Sequence, residues 1–172
     1  MRYYLFIITL VFGSCSDAPD ALFQLSTEAS FDIAPGLNTI ETFIFPISQV
    51  PTNFAALSNG ADPSTIGSIQ PSRATISAPF VTFDWSIVRE VSVRAISPRN
   101  PELNREIFFE DQISLNNQSE LRLFSSLSDV REILIDETFN LEVRFNFRNI
   151  TPAEIPSRIE MNFLANGTEW DS

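Results

Sequence analysis

The stretch FNLEVRFNF, Phe139 to Phe147, places Phe139, Leu141, Val143, Phe145 and Phe147 on one parity and Asn140, Glu142, Arg144 and Asn146 on the other. Alternation with a period of two over nine residues predicts a half-buried antiparallel strand, apolar toward a core and polar toward water. SRIEMNFLA (157–165) repeats the pattern with Ile159, Met161, Phe163 and Ala165 inward, after the turn-forming break NITPAEIP. A second strand of the same kind beside the first points to a layered all-β domain.

Working outward from that pair, the period of two recurs along most of the chain. LNTIETFIFPI (37–47) carries apolar residues on both parities, so both of its faces are expected to be covered, and Pro46 marks it as an edge. Val81, Phe83, Trp85 and then Val91, Val93, Ala95 alternate inward, with Asp84 positioned to cap a single helical turn between the two runs. REIFFEDQI (105–113) is expected to point Ile107 and Phe109 one way and Phe108 and Glu110 the other, and ELRLF (120–124) supplies another strand. SSLSDVREILIDE has the helical period instead. Ser126 and Asp129 read as a capping box before Val130, Ile133 and Leu134, which predicts about two turns near 128–135. Seven or eight short strands, turn signals and one short helix predict an antiparallel β-sandwich of immunoglobulin-like or jelly-roll type.

The amino terminus reads as an address. Arg2 is followed by the uncharged run YYLFIITLVF (3–12), then Gly13, Ser14 and Cys15, the only cysteine. The run is too short to span a bilayer, which takes about 20 apolar residues, and a basic start, apolar middle and small exit are the marks of a secretory signal peptide. VFGSC (11–15) resembles the lipobox of bacterial lipoproteins. That resemblance implies a diacylglyceryl group on the Cys15 sulfur, cleavage before it and acylation of its freed amine. SDAPD (16–20) is similar to the short acidic export signals of Bacteroidota surface lipoproteins. The expected organisation is a signal peptide over 1–14, an acylated cysteine and tether over 15–29, and a single β-sandwich domain over 30–172, with the apolar Phe23 and Leu25 inside the tether as an alternative start of the first strand. The expected location is the outer membrane, on its periplasmic or cell-surface face.

Behind the leader, 172 less 14 leaves 158 residues, enough for one ordinary core. The 22 acidic residues then face ten arginines, a net charge of −12 that repels nucleic acid and anionic head groups. The chain has no histidine and no lysine, and Tyr3 and Tyr4, its two tyrosines, lie in the leader. Without His there is no Ser-His-Asp or Cys-His nucleophile, and without Lys no Schiff base and no phosphate-cradling loop lysine. Without His or a second Cys, no zinc, haem or iron-sulfur site and no other cofactor is expected. Carboxylate-only glycoside hydrolysis and an oxygen-ligated cation survive as chemistries. The acidic neighbours Glu110 with Asp111 and Asp136 with Glu137 match no cation-loop spacing and are expected to be solvated charge.

The expectation is therefore a non-catalytic outer-membrane lipoprotein, held by its lipid anchor and serving as an accessory or structural subunit of an envelope protein complex. Sheet edges and the loop-like segment Pro51 to Ser72, with Phe54, Leu57, Ile66 and Ile69, are the expected partner-binding features. The same segment allows NFAAL (53–57) to form a helical turn capping one end of the sandwich. The alternative is a glycan-binding module of a surface polysaccharide-uptake system, which would need Trp170 and several phenylalanines exposed in one plane.

Overall fold

The computed structural model describes residues 21–60 and 62–168, so Cys15 and Trp170 lie outside the described residues. Eight strands follow one another: β1 (Phe23–Ile33), β2 (Thr42–Pro51), β3 (Ile66–Ser77), β4 (Val88–Ile96), β5 (Asn104–Glu110), β6 (Glu120–Ser125), β7 (Thr138–Phe147) and β8 (Ile155–Gly167). Two four-residue helices interrupt them, α1 (Phe54–Leu57) and α2 (Arg131–Leu134), with 3-10 turns at Pro63–Thr65 and Trp85–Ile87.

All pairings are antiparallel, in the order β1-β8-β3-β6-β5-β4-β7-β2. β1-β8-β3-β6 form one layer and β5-β4-β7-β2 the other. Only two residue pairs, Phe108 with Ser125 and Phe109 with Phe124, carry the ladder round the corner between them. Across the layers Phe31 of β1 packs on Phe45 of β2 and Phe145 of β7, and Phe108 of β5 on Phe163 of β8; the strand order is that of a long hairpin rolled up. The sandwich is thus a jelly roll.

β7 buries Phe139, Leu141, Val143, Phe145 and Phe147, none more than 1% exposed, and turns Asn140, Glu142, Arg144 and Asn146 outward. Phe145 is the hub of the core, within 5.6 to 6.2 Å, centroid to centroid, of Phe31, Phe45, Trp85 and Phe147. At about 1.5–3 kcal/mol per fully buried large apolar side chain, such rows supply the main driving force.

Five expectations need correction. The sandwich begins before residue 30: β1 starts at Phe23, and the Leu22 amide already donates to Ala165 O at 2.8 Å, so the second half of the expected tether is paired strand. Residues 81–84 form a loop, with Val81 exposed, although Trp85 is fully buried and Asp84 caps the turn at Trp85–Ile87 as expected. β2 is covered on one face only, leaving Ile44 half exposed. In β5 the register with β4 shifts between Val93 and Arg94, so Ile107 is an extra residue. That bulge sends both Ile107 and Phe108 into the core and leaves Phe109 partly exposed. Finally, α2 is one turn long and no capping box closes on it. Asp129 accepts from both Arg131 N and Ile69 N, while the Ser126 hydroxyl donates to Glu106 O.

Candidate interaction surface

The segment 51–72 is not a free loop. Phe54 is buried in α1, packed edge-on against Phe23 at 6.0 Å, and Ile66 and Ile69 are at most 1% exposed at the start of β3; Leu57 is half-buried. None of the first three can meet a partner. Gly67 and Pro71, which give the segment its loop-like composition, sit at two register shifts of β3 against β8. NFAAL does form a helical turn.

The sheet edges are interrupted in places. Pro46 withholds an amide from the β2 edge, and a register shift between Ile47 and Val50 puts Gln49 at φ 57°. β1 and β2 are stitched where they meet, Thr27 Oγ1 donating to Pro51 O at 2.6 Å and Asn53 Nδ2 to Ser26 O at 3.1 Å.

The ends of the sandwich remain. Odd and even strands alternate through the whole sheet order, so β1, β3, β5 and β7 all run the same way. Their exits, 34–41, 78–87, 111–119 and 148–154, therefore gather at one end. The chain enters at the opposite end, beside 52–65, 97–103 and 126–137. We call the two ends distal and proximal.

Polar side chains buckle the distal loops together. The Arg148 guanidinium donates to the carbonyls of Ser86, Val88 and Ile113, tying three loops. Asp84 Oδ1 accepts from Ser86 N and Gln118 N, both at 3.0 Å, and Trp85 N returns a bond to Gln118 O at 2.9 Å. These bonds hold the Asp84 carboxyl below its ordinary range, the Ser86 amide contributing most and the Gln118 amide next. Thr151, 2% exposed, fastens the fourth loop: its hydroxyl donates to Ala34 O at 2.8 Å and accepts from Leu37 N at 2.9 Å. Asn38 Oδ1 accepts from Ile40 N and Glu41 N, fixing the tip of that loop.

The tips are apolar. Nine large apolar side chains are exposed among the described residues, and five of them, Ile40, Phe80, Val81, Leu115 and Ile150, stand on these four loops, with at least one on each. The sequence reading missed this surface, because the loops meet only through the topology. A partial signal was present: Leu115 and Ile150 each stand alone among turn formers, in SerLeuAsnAsn and AsnIleThrPro, and Phe80 follows a proline.

The other four are scattered: Leu22 and Leu127 at the proximal end, Ile44 on β2 and Phe124 on β6. A cleft of about 490 Å³ beside loop 111–119 is lined by Glu110, Gln112, Asn117, Gln118, Glu120 and Arg122. Its charged groups already have partners: Glu110 accepts from Gln112 N, and Glu120 from Arg122 Nε at 2.8 Å. The exposed phenylalanines among the described residues, Phe80 and Phe124, lie on a distal loop and on β6 and make no planar sugar platform. Among the described residues no three His, Cys, Asp or Glu side chains are grouped to hold a metal ion, and no helix is long and apolar enough to cross a membrane.

No family model and no curated protein matches the chain. Among solved structures it is similar to a chain of Desmodium yellow mottle tymovirus, at 16% identity over 96% of this chain and 98% of that one, with a TM-score of 0.29. A similarity of that size carries no argument about function.

Proposed function

We propose that this chain is a lipid-anchored outer-membrane lipoprotein that acts, without catalysis, as an accessory or structural subunit of a cell-envelope protein complex. The observation that carries the reading is the arrangement of its two ends: a motif suited to acylation leads into the proximal end, and a rigid apolar surface occupies the distal one. Six residues, 16–21, lie between Cys15 and Leu22, and the seven steps between those two reach at most about 25 Å fully extended. Acyl chains on Cys15, at about 0.8 kcal/mol per buried CH2, would hold the proximal end close to the bilayer. The longer strands, β1, β2, β3, β7 and β8, each of ten to thirteen residues, then set the distal end roughly 30 Å farther out.

The acidic surface favours standing off an anionic leaflet over lying on it. The chain behind Cys15 lacks His, Lys and Tyr, which supports binding over chemistry.

The test is intact-mass spectrometry of the N-terminal peptide from membrane-fractionated cells, with Cys15→Ala as control, followed by crosslinking of the full chain in the same cells. The reading expects an acylated Cys15, loss of membrane association in the variant, and a reproducible protein neighbour. An unmodified Cys15, or an acylated protein with no neighbour, overturns it.

A further inference from the structure

We propose that the distal end is the docking surface for a protein partner whose own face is apolar at its centre and basic around it. The inference rests on the accessory-subunit reading and names the partner chemistry that this reading leaves open.

Three observations carry it. The first is convergence: Ile40, Phe80, Val81, Leu115 and Ile150 are 90, 77, 42, 77 and 64% exposed, and every one of the four distal loops contributes. Scattered surface apolar residues need no explanation, but a concentration at one end of a small domain marks an interaction site.

The second is pre-organisation. Arg148, Asp84 and Thr151 lock the loops to one another and to the start of β4 through six side-chain hydrogen bonds. Ordering these loops therefore costs little when a partner arrives, and their apolar tips act as ready anchors.

The third is charge. The distal loops contain one base, Arg148, and its guanidinium is occupied by three backbone carbonyls. Asp84 is likewise occupied by amides. The ionised groups left facing outward are Glu41, Asp111 and Glu154, all exposed. Arg89, at the start of β4, and Arg122, held by Glu120, lie outside the loops. An apolar surface rimmed by carboxylates repels an anionic lipid leaflet, a nucleic acid and a second copy of itself. It attracts a protein face rich in arginine or lysine around an apolar centre.

The experiment places a benzophenone side chain at Leu115 or Ile150, or at Ser92 or Thr75 on the outer sheet faces, in the full-length chain in cells. Light-driven crosslinking is then compared with and without the triple reversal Glu41→Arg, Asp111→Arg and Glu154→Arg. A discrete protein adduct from Leu115 and Ile150, absent from Ser92 and Thr75 and reduced about tenfold by the charge reversal at low salt, is the expected result. High salt should shrink the effect of the reversal. An unchanged melting midpoint of the triple variant establishes that the loss is not unfolding.

An adduct that forms only from the sheet faces overturns the docking surface while leaving the accessory-subunit reading intact. A distal adduct that is a second copy or a lipid, or one indifferent to charge reversal, overturns the partner chemistry. No protein adduct from any position overturns both proposals.

Discussion

Asp84 and Gln118, 34 residues apart, are bound at two points: the Gln118 amide donates to the Asp84 carboxylate at 3.0 Å, and the amide of Trp85 donates to the Gln118 carbonyl at 2.9 Å. The loop before β4 and the loop before β6 thus share one short polar joint, and Trp85, anchored beneath it, is fully buried. The core and the distal surface are mechanically continuous at that point.

Asp84→Ala removes the cap of the Trp85–Ile87 turn and the bridge to Gln118 together. Loss of a capping carboxylate costs about 0.5–2 kcal/mol, and the Ser86 and Gln118 amides should exchange with solvent much faster while those of β7 do not. Amide exchange read residue by residue checks both halves of this expectation.

Acid should loosen the same joint. The Asp84 carboxyl is held below its ordinary value of 3.8 in the folded protein. Its contribution is therefore complete above that value and is lost as the pH falls through the lower folded value. Asp62, capping the turn at Pro63–Thr65 through Ser64 N, behaves alike at the proximal end. A titration followed by the Ser86 and Ser64 amide shifts should show both midpoints below 3.8, and an Asp84→Asn variant should lose the first alone.

Arg148→Met would leave the carbonyls of Ser86, Val88 and Ile113 without their donor. Hydrogen bonds to charged groups contribute about 1.5–3 kcal/mol each, though not additively. The expected loss is roughly 2–4 kcal/mol, read as a fall in the urea midpoint. Arg148→Lys, whose ammonium cannot span three carbonyls in a plane, should recover only part of it.

Gly67 and Gly167 should respond oppositely to alanine. A Cβ on Gly67 would lie 2.6 Å from the backbone oxygen of Gly167, where β3 bulges against β8, whereas a Cβ on Gly167 would meet only the Leu22 side chain at 3.6 Å. Gly67→Ala is expected to lower the melting midpoint by several degrees, and Gly167→Ala to leave it nearly unchanged.

In the core, Phe145→Ala should cost about 3–5 kcal/mol, since it opens a void among Phe31, Phe45, Trp85 and Phe147. Trp85→Phe should cost far less. The indole N–H has no hydrogen-bond partner among the described residues, so the volume lost is offset by removing an unsatisfied donor. Chemical denaturation of the two variants side by side separates these cases.

Where a strand has one face in the core and no bulge, its sequence states its structure, and β7 and β8 were legible residue by residue. β5 was not, because a single extra residue at Ile107 reverses the parity of all that follows, and nothing local in REIFFE marks the insertion. β3 was hidden for a related reason: Gly67 and Pro71 have turn chemistry but are used here at irregularities of a paired strand. Phe54, Ile66 and Ile69 consequently looked available for binding when they are core. The distal surface could not be read at all from spacing. Ile40, Phe80, Leu115 and Ile150 are separated by 35 to 40 residues each and come to the same end of the sandwich only because odd and even strands alternate throughout the sheet.

The pairing of β1 with β8 has a consequence for how the protein is made. Eleven consecutive residues of β1, Phe23 to Ile33, find their partners in Ile155 to Ala165. Of the eight strands, the first thus waits for the last before its ladder can form. Topologies dominated by such distant contacts fold slowly. In the lipoprotein proposed above, that delay would be useful: the polypeptide would stay threadable until its whole length had been delivered, and the fold would close only on the far side.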